Sequence, residues 1–172
     1  SYEVVYDVKS MSFGSICKGY SAITAQTFTI TNTSNSAVTF ALPTSTAFDI
    51  IASSTTIEAN GGKVTVSIQP KANLAVGSYL DTIEFDFGIT DINFSLPAKF
   101  VVHDHVFAKY VPVENSATYS ANGKEVAKCH LGCGAENERE MANSMKQYLV
   151  ENNTADGLLK EYLYHKLNQA ML

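Results

Sequence analysis

The feature that most constrains this chain is a strict alternation of apolar and polar residues. In Gln26-Thr27-Phe28-Thr29-Ile30-Thr31, Phe28 and Ile30 fall on one side and threonines on the other. The same period of two recurs in Ala37–Leu42 through Val38 and Phe40, and in Lys63–Ile68 through Val64, Val66 and Ile68. It returns in Tyr79–Phe87, and again from Asp91 to Val102 through Ile92, Phe94 and Leu96. Successive side chains of a strand point to opposite faces, so this pattern marks strands with one buried face. Tyr2–Val8 and Phe48–Ile50 add shorter runs of β-branched and aromatic residues. Turn formers separate the runs: Asn32–Ser36, Pro43, Asn60-Gly61-Gly62 and Pro70. Seven or eight short strands at about ten-residue spacing predict a mainly β fold, a β-sandwich over residues 1–102. One wet face per strand predicts antiparallel sheets.

Residues 103–172 read as a second, smaller domain. Asn122-Gly123 predicts a hairpin turn between Ala117–Ser120 and Lys124–Lys128. After Gly134 the spacing becomes helical. Glu136-Asn137-Glu138-Arg139-Glu140 places acids at an expected helix N-terminus, with Met141, Met145, Tyr148 and Leu149 on one face. Asn152-Asn153 ends that helix, and Thr154 is an expected N-cap for a second. In the second, Leu158, Leu159, Tyr162, Leu163, Leu167, Ala170 and Met171 form one apolar stripe. The expected C-terminal region is therefore a small β-hairpin plus a helical hairpin. Its stripes pack on the hairpin segment or, alternatively, drive self-association.

Charge narrows the partners. The chain of 172 residues has 12 basic and 17 acidic side chains, a formal net charge of −5. Arg139 is the only arginine. Bidentate arginine contacts dominate phosphate and base recognition, so nucleic acid is not an expected partner. No apolar run is long enough to span a bilayer, and none is expected to.

The order of motifs in the first hundred residues resembles a known group. Phe13-Gly14, Gly19-Tyr20, Gln26–Thr33, Phe48-Asp49-Ile50, Ala59–Gly62, Val66–Lys71 and Leu74–Tyr79 resemble the immunoglobulin-like repeats of secreted and cell-surface proteins of Gram-positive bacteria. More distantly they are similar to Hydin-type domains. The resemblance implies an immunoglobulin-like antiparallel β-sandwich, exported or displayed at the cell surface, acting as a spacer or an adhesion and interaction module. The family has Gly where Ser34 stands. In such sandwiches a Tyr at the position of Tyr79, after Gly77, packs under a corner and bonds back to the backbone. The alternative for Tyr79 is a plain core aromatic. Gly61 and Gly62 are expected to supply the positive-φ positions of a hairpin.

Residues 103–134 resemble a second module of the same bacterial proteins, through His105, Ala117-Thr118-Tyr119, Lys128-Cys129 and Cys133-Gly134-Ala135. Tyr119 stands where that module has its first cysteine, and Cys129 and Cys133 are one residue further apart than its pair.

The chemistry-bearing residues collect in this segment. His103, His105, Cys129 and Cys133 are donors suited to zinc, and a hairpin between them would bring 103–105 to 129–133. His-x-His on a strand puts both rings on one face, as readily for solvent as for metal. A Cys129–Cys133 disulfide and unbonded thiols are the alternatives. Cys17 lies alone in an apolar-leaning stretch and reads as a small buried hydrophobe. Cys129 and His130 are neighbours on a strand and so do not face each other. Asp81, Glu84, Asp86 and Asp91 lack calcium-loop spacing and read as a solvated acidic face. No nucleophile elbow, metalloprotease motif or phosphate loop is present in the sequence. The sequence is thus expected to encode a non-enzymatic extracellular module. A small structural zinc module on a β scaffold is the alternative, and a carbohydrate-binding module is a third reading, set back by the absence of Trp.

Overall fold

A computed structural model describes residues 1–118, 120–145, 148, 162–166 and 168–169. The chain divides into two compact units, Ser1–Asp104 and His105–Leu172.

The first unit holds nine strands: β1 (Val4–Tyr6), β2 (Met11–Cys17), β3 (Gln26–Asn32), β4 (Val38–Thr39), β5 (Phe48–Ala52), β6 (Thr56–Ile57), β7 (Gly62–Pro70), β8 (Gly77–Phe85) and β9 (Phe94–His103). One sheet has the order β1-β3-β7-β5 and is antiparallel throughout. A second has the order β2-β9-β8, and β4 pairs with β6 in a short ribbon. The alternating residues of the two larger sheets meet in one core. Phe28 and Ile30 of β3 and Val64, Val66 and Ile68 of β7 join Ile83 and Phe85 of β8 and Leu96, Phe100 and Val102 of β9. Phe28 meets Phe85 edge-on with centroids 5.7 Å apart, and Phe85 stacks on Phe94 at 4.7 Å. Both are favoured aromatic geometries.

Two details differ from the sequence expectation. β2 runs parallel to β9, so the second sheet is mixed and not purely antiparallel. The pairing of Met11–Cys17 shifts register between Ser12 and Ser15, and Gly14 between them has φ +70°. That bulge breaks the period of two and hides the strand from pattern reading. Residues 90–92 form a 3-10 turn, not the start of β9. The Phe87 amide donates to Asn93 Oδ1 there at 2.7 Å.

Polar groups pin the turns. In the β6–β7 turn the left-handed residues are Asn60 (φ +58°) and Gly61 (φ +95°). Gly62 is needed for a different reason than expected: a Cβ there would stand 2.2 Å from the Glu58 carbonyl oxygen. Asn32 is fully buried at the end of β3. Its amide donates to the Ser36 and Ile57 carbonyls at 2.8 and 3.1 Å, and its Oδ1 accepts the Ser34 amide at 3.0 Å. The Ser34 hydroxyl donates to the same oxygen. Tyr79 Oη donates to the Ala75 carbonyl at 2.6 Å. A second tyrosine, buried Tyr20, straps the same loop: its hydroxyl donates to the Lys71 carbonyl and accepts the Leu74 amide at 3.1 Å.

The second unit carries a three-stranded antiparallel sheet of order β10-β11-β12, with β10 at Tyr110–Pro112, β11 at Lys124–Lys128 and β12 at Glu136–Glu140. This corrects two expectations. β11 pairs with β10 and β12, not with Ala117–Ser120. Glu136–Glu140 is a strand, not a helix N-terminus. The acids at 136, 138 and 140 share one face of β12 by their period of two, across from Lys128, Val126 and Lys124. Glu138 pairs with Lys124 at 3.0 Å. On the other face Arg139 pairs with Glu125 at 2.7 Å and lies 3.5 Å above the Tyr110 ring. Cross-strand charge pairs therefore override the helix reading. Residues 144, 145, 148, 162–166 and 168–169 are helical. Leu149, the Asn152-Asn153 break, Thr154, Leu158, Leu159, Leu167, Ala170 and Met171 lie outside the described residues. Tyr162 and Leu163 are exposed. None of the described helical segments is long and apolar enough to cross a membrane.

Candidate metal centre

The loop after β11 folds back on itself and so gathers the donors. The Cys129 amide donates to the Ala135 carbonyl at 2.8 Å, and the Gly132 amide to the Cys129 carbonyl at 3.1 Å. Gly132 (φ +77°) and Gly134 (φ +81°) flank Cys133 in the left-handed region, which side chains beyond glycine rarely adopt. The turn carries Cys133 back toward Cys129. The His130 amide donates to the Val106 carbonyl at 2.8 Å, which draws the segment holding His105 alongside.

Three of the four expected donors converge within this unit. The ligand atoms of His105, Cys129 and Cys133 all lie within 4.8 Å of one another. Cys133 Sγ sits 3.3 Å from His105 Nδ1. Cys129 is buried, His105 half-buried and Cys133 exposed. None of the chain's three cysteines is in a disulfide. The Cys129 thiol is held down to about 6 from its usual 9.0. The main cause is a hydrogen bond from the Val106 backbone; the Leu131 backbone and the His105 and Cys133 side chains act in the same direction, and burial opposes them. A thiolate is the metal-binding form of cysteine.

His103, the fourth expected donor, is not in this group. β9 ends at His103, so the alternation that would pair its ring with that of His105 stops there. It is an exposed residue of the first unit, whose carbonyl accepts the Lys18 amide at 2.8 Å. Cys17 is buried at the end of β2, in register with His103. The Val106 and Leu131 backbone contributions were invisible to residue-type reasoning. The one sequence signal for them is the pair of glycines flanking Cys133.

Two thiol groups and an imidazole form a soft donor set, which suits zinc better than calcium or magnesium. Three of the four acids considered for calcium have local hydrogen-bond partners. Asp81 accepts the Ser45 hydroxyl, Glu84 the Ser95 hydroxyl at 2.6 Å, and Asp86 the Gly88 amide at 2.8 Å.

No family model and no curated protein matches this chain. Among solved structures it is similar to the VesB protease of Vibrio cholerae, at 19% identity and a TM-score of 0.39. The match covers 58% of this chain and 31% of that one.

Proposed function

We propose that this chain is a non-enzymatic module whose second unit holds a zinc ion in a structural role. The observation that carries the reading is the convergence of His105, Cys129 and Cys133 within 4.8 Å. The hydrogen bonding that favours the Cys129 thiolate adds to it. Closed zinc sites take four donors. The second unit supplies three.

Elemental analysis of purified protein tests this reading, with one zinc per chain expected. Zinc far below stoichiometric, unchanged after dialysis against the metal, would end it. Cobalt substitution then counts the thiolates through the intensity of the sulfur-to-metal charge-transfer band.

The wider role we assign is that of an exported spacer or interaction module, with an immunoglobulin-like sandwich in the first unit and a helical hairpin completing the second. Support comes from the resemblance of residues 10–100 and from the Thr, Ser and Asn that fill the exposed strand faces. Fractionation of the producing cells checks it: recovery in the cytoplasm alone would contradict export.

A further inference from the structure

The same two sulfurs that would hold the metal are placed to bond to each other. Resting on the zinc reading, we propose that metal occupancy guards a thiol–disulfide switch formed by Cys129 and Cys133. Both sulfurs belong to one loop closed by the Cys129-to-Ala135 and Gly132-to-Cys129 hydrogen bonds. They lie within 4.8 Å, and the glycines on either side of Cys133 leave its backbone free to turn. Cys133 is exposed and Cys129 buried, so a reagent from solvent meets Cys133 first. A bare site and an occupied one therefore differ in reactivity, because coordination ties up the attacking thiolate.

The co-reactant is a low-molecular-weight disulfide. The Cys133 thiolate attacks one of its sulfurs, forming a mixed disulfide and releasing one small thiolate. The Cys129 thiolate then attacks the Cys133 sulfur, forming the Cys129–Cys133 bond and releasing the second. Two protein thiolates are oxidised and one small disulfide is reduced to two thiolates. A bound metal leaves as the hydrated ion, since a disulfide is not a comparable ligand. In an oxidising compartment metal supply would thus decide which of two closed forms of the loop persists.

The experiment exposes the full chain to oxidised glutathione, once metal-free and once with free zinc held at about a hundred times its Kd. Bound zinc is measured separately before the oxidant is added. Trypsin cuts after Lys128 and Arg139, so both cysteines leave in the peptide 129–139. After thiol blocking, a bond between them appears as that peptide lighter by two hydrogens and unblocked. The metal-free chain is expected to give this peptide, and Cys17→Ser to give it equally. With only about one site in a hundred bare, zinc is expected to slow the conversion about a hundredfold. Equal rates with zinc demonstrably bound would overturn the switch while leaving the zinc reading intact. A stalled mixed disulfide at Cys133, or a cross-link to the peptide of Cys17, would also overturn it. Absence of zinc binding would overturn both.

Discussion

The two units of this chain are held together by different means. The first buries aromatic and branched side chains from every principal strand; Phe48, Phe85, Phe100 and Ile30 are nearly or wholly inaccessible. In the second, among the described residues, the buried hydrophobics are Ala127 and Cys129 alone. Its sheet is laced instead by charge pairs, exposed Lys124–Glu138 and Arg139 with half-buried Glu125, and by the Arg139–Tyr110 stack. Exposed ion pairs contribute about 0–1 kcal/mol each, so they cannot stand in for a core. Small domains without a sufficient core are commonly held by metals or disulfides. The thiol and imidazole cluster sits in the unit that needs such a staple, and this comparison gives the zinc reading its physical motive.

Four substitutions sharpen the contrast. Cys129→Ser should have the largest effect. It removes a buried donor, so metal affinity should fall by more than the roughly 10–100-fold typical of losing an outer hydrogen-bond partner. Zinc titration reads this directly, and β3 and β7 should keep their amide protection. Phe100→Ala should cost the first unit about 3–5 kcal/mol in denaturant unfolding, with zinc stoichiometry unchanged. Tyr20→Phe leaves the Lys71 carbonyl and Leu74 amide without their hydroxyl and should cost about 1–2 kcal/mol. Arg139→Ala removes an exposed cation from half-buried Glu125 and Tyr110 and should cost about 1 kcal/mol. An Arg139 effect rivalling that of Phe100 would mean that the second unit is held by its charges, contrary to the contrast drawn above.

What could be read from the sequence follows the same division. Strands with one dry face announce themselves by alternation, so β3, β7, β8 and most of β9 were legible. β2 was not, because Gly14 and its bulge interrupt the period. In the second unit there is little core to impose a pattern. Glu136–Glu140 was misread because acids suit both a helix start and a charged cross-strand ladder; only the partner strand decides. Of the candidate donors, His105, Cys129 and Cys133 were named from residue type alone. His103 shares that residue type, but it closes β9 in the first unit and lies outside the cluster. Hydrogen bonding from the Val106 and Leu131 backbones is signalled only by the glycines flanking Cys133, since any residue but proline supplies an amide.

A structural zinc ion would organise the second unit and leave the first independent of it. Hydrogen exchange of the full chain, followed before and after treatment with a strong zinc chelator, tests this most directly. Release of one zinc per chain should coincide with loss of amide protection in β10, β11 and β12, while β3, β7 and β9 exchange as slowly as before. Undiminished protection of β11 in the metal-free chain would contradict the account.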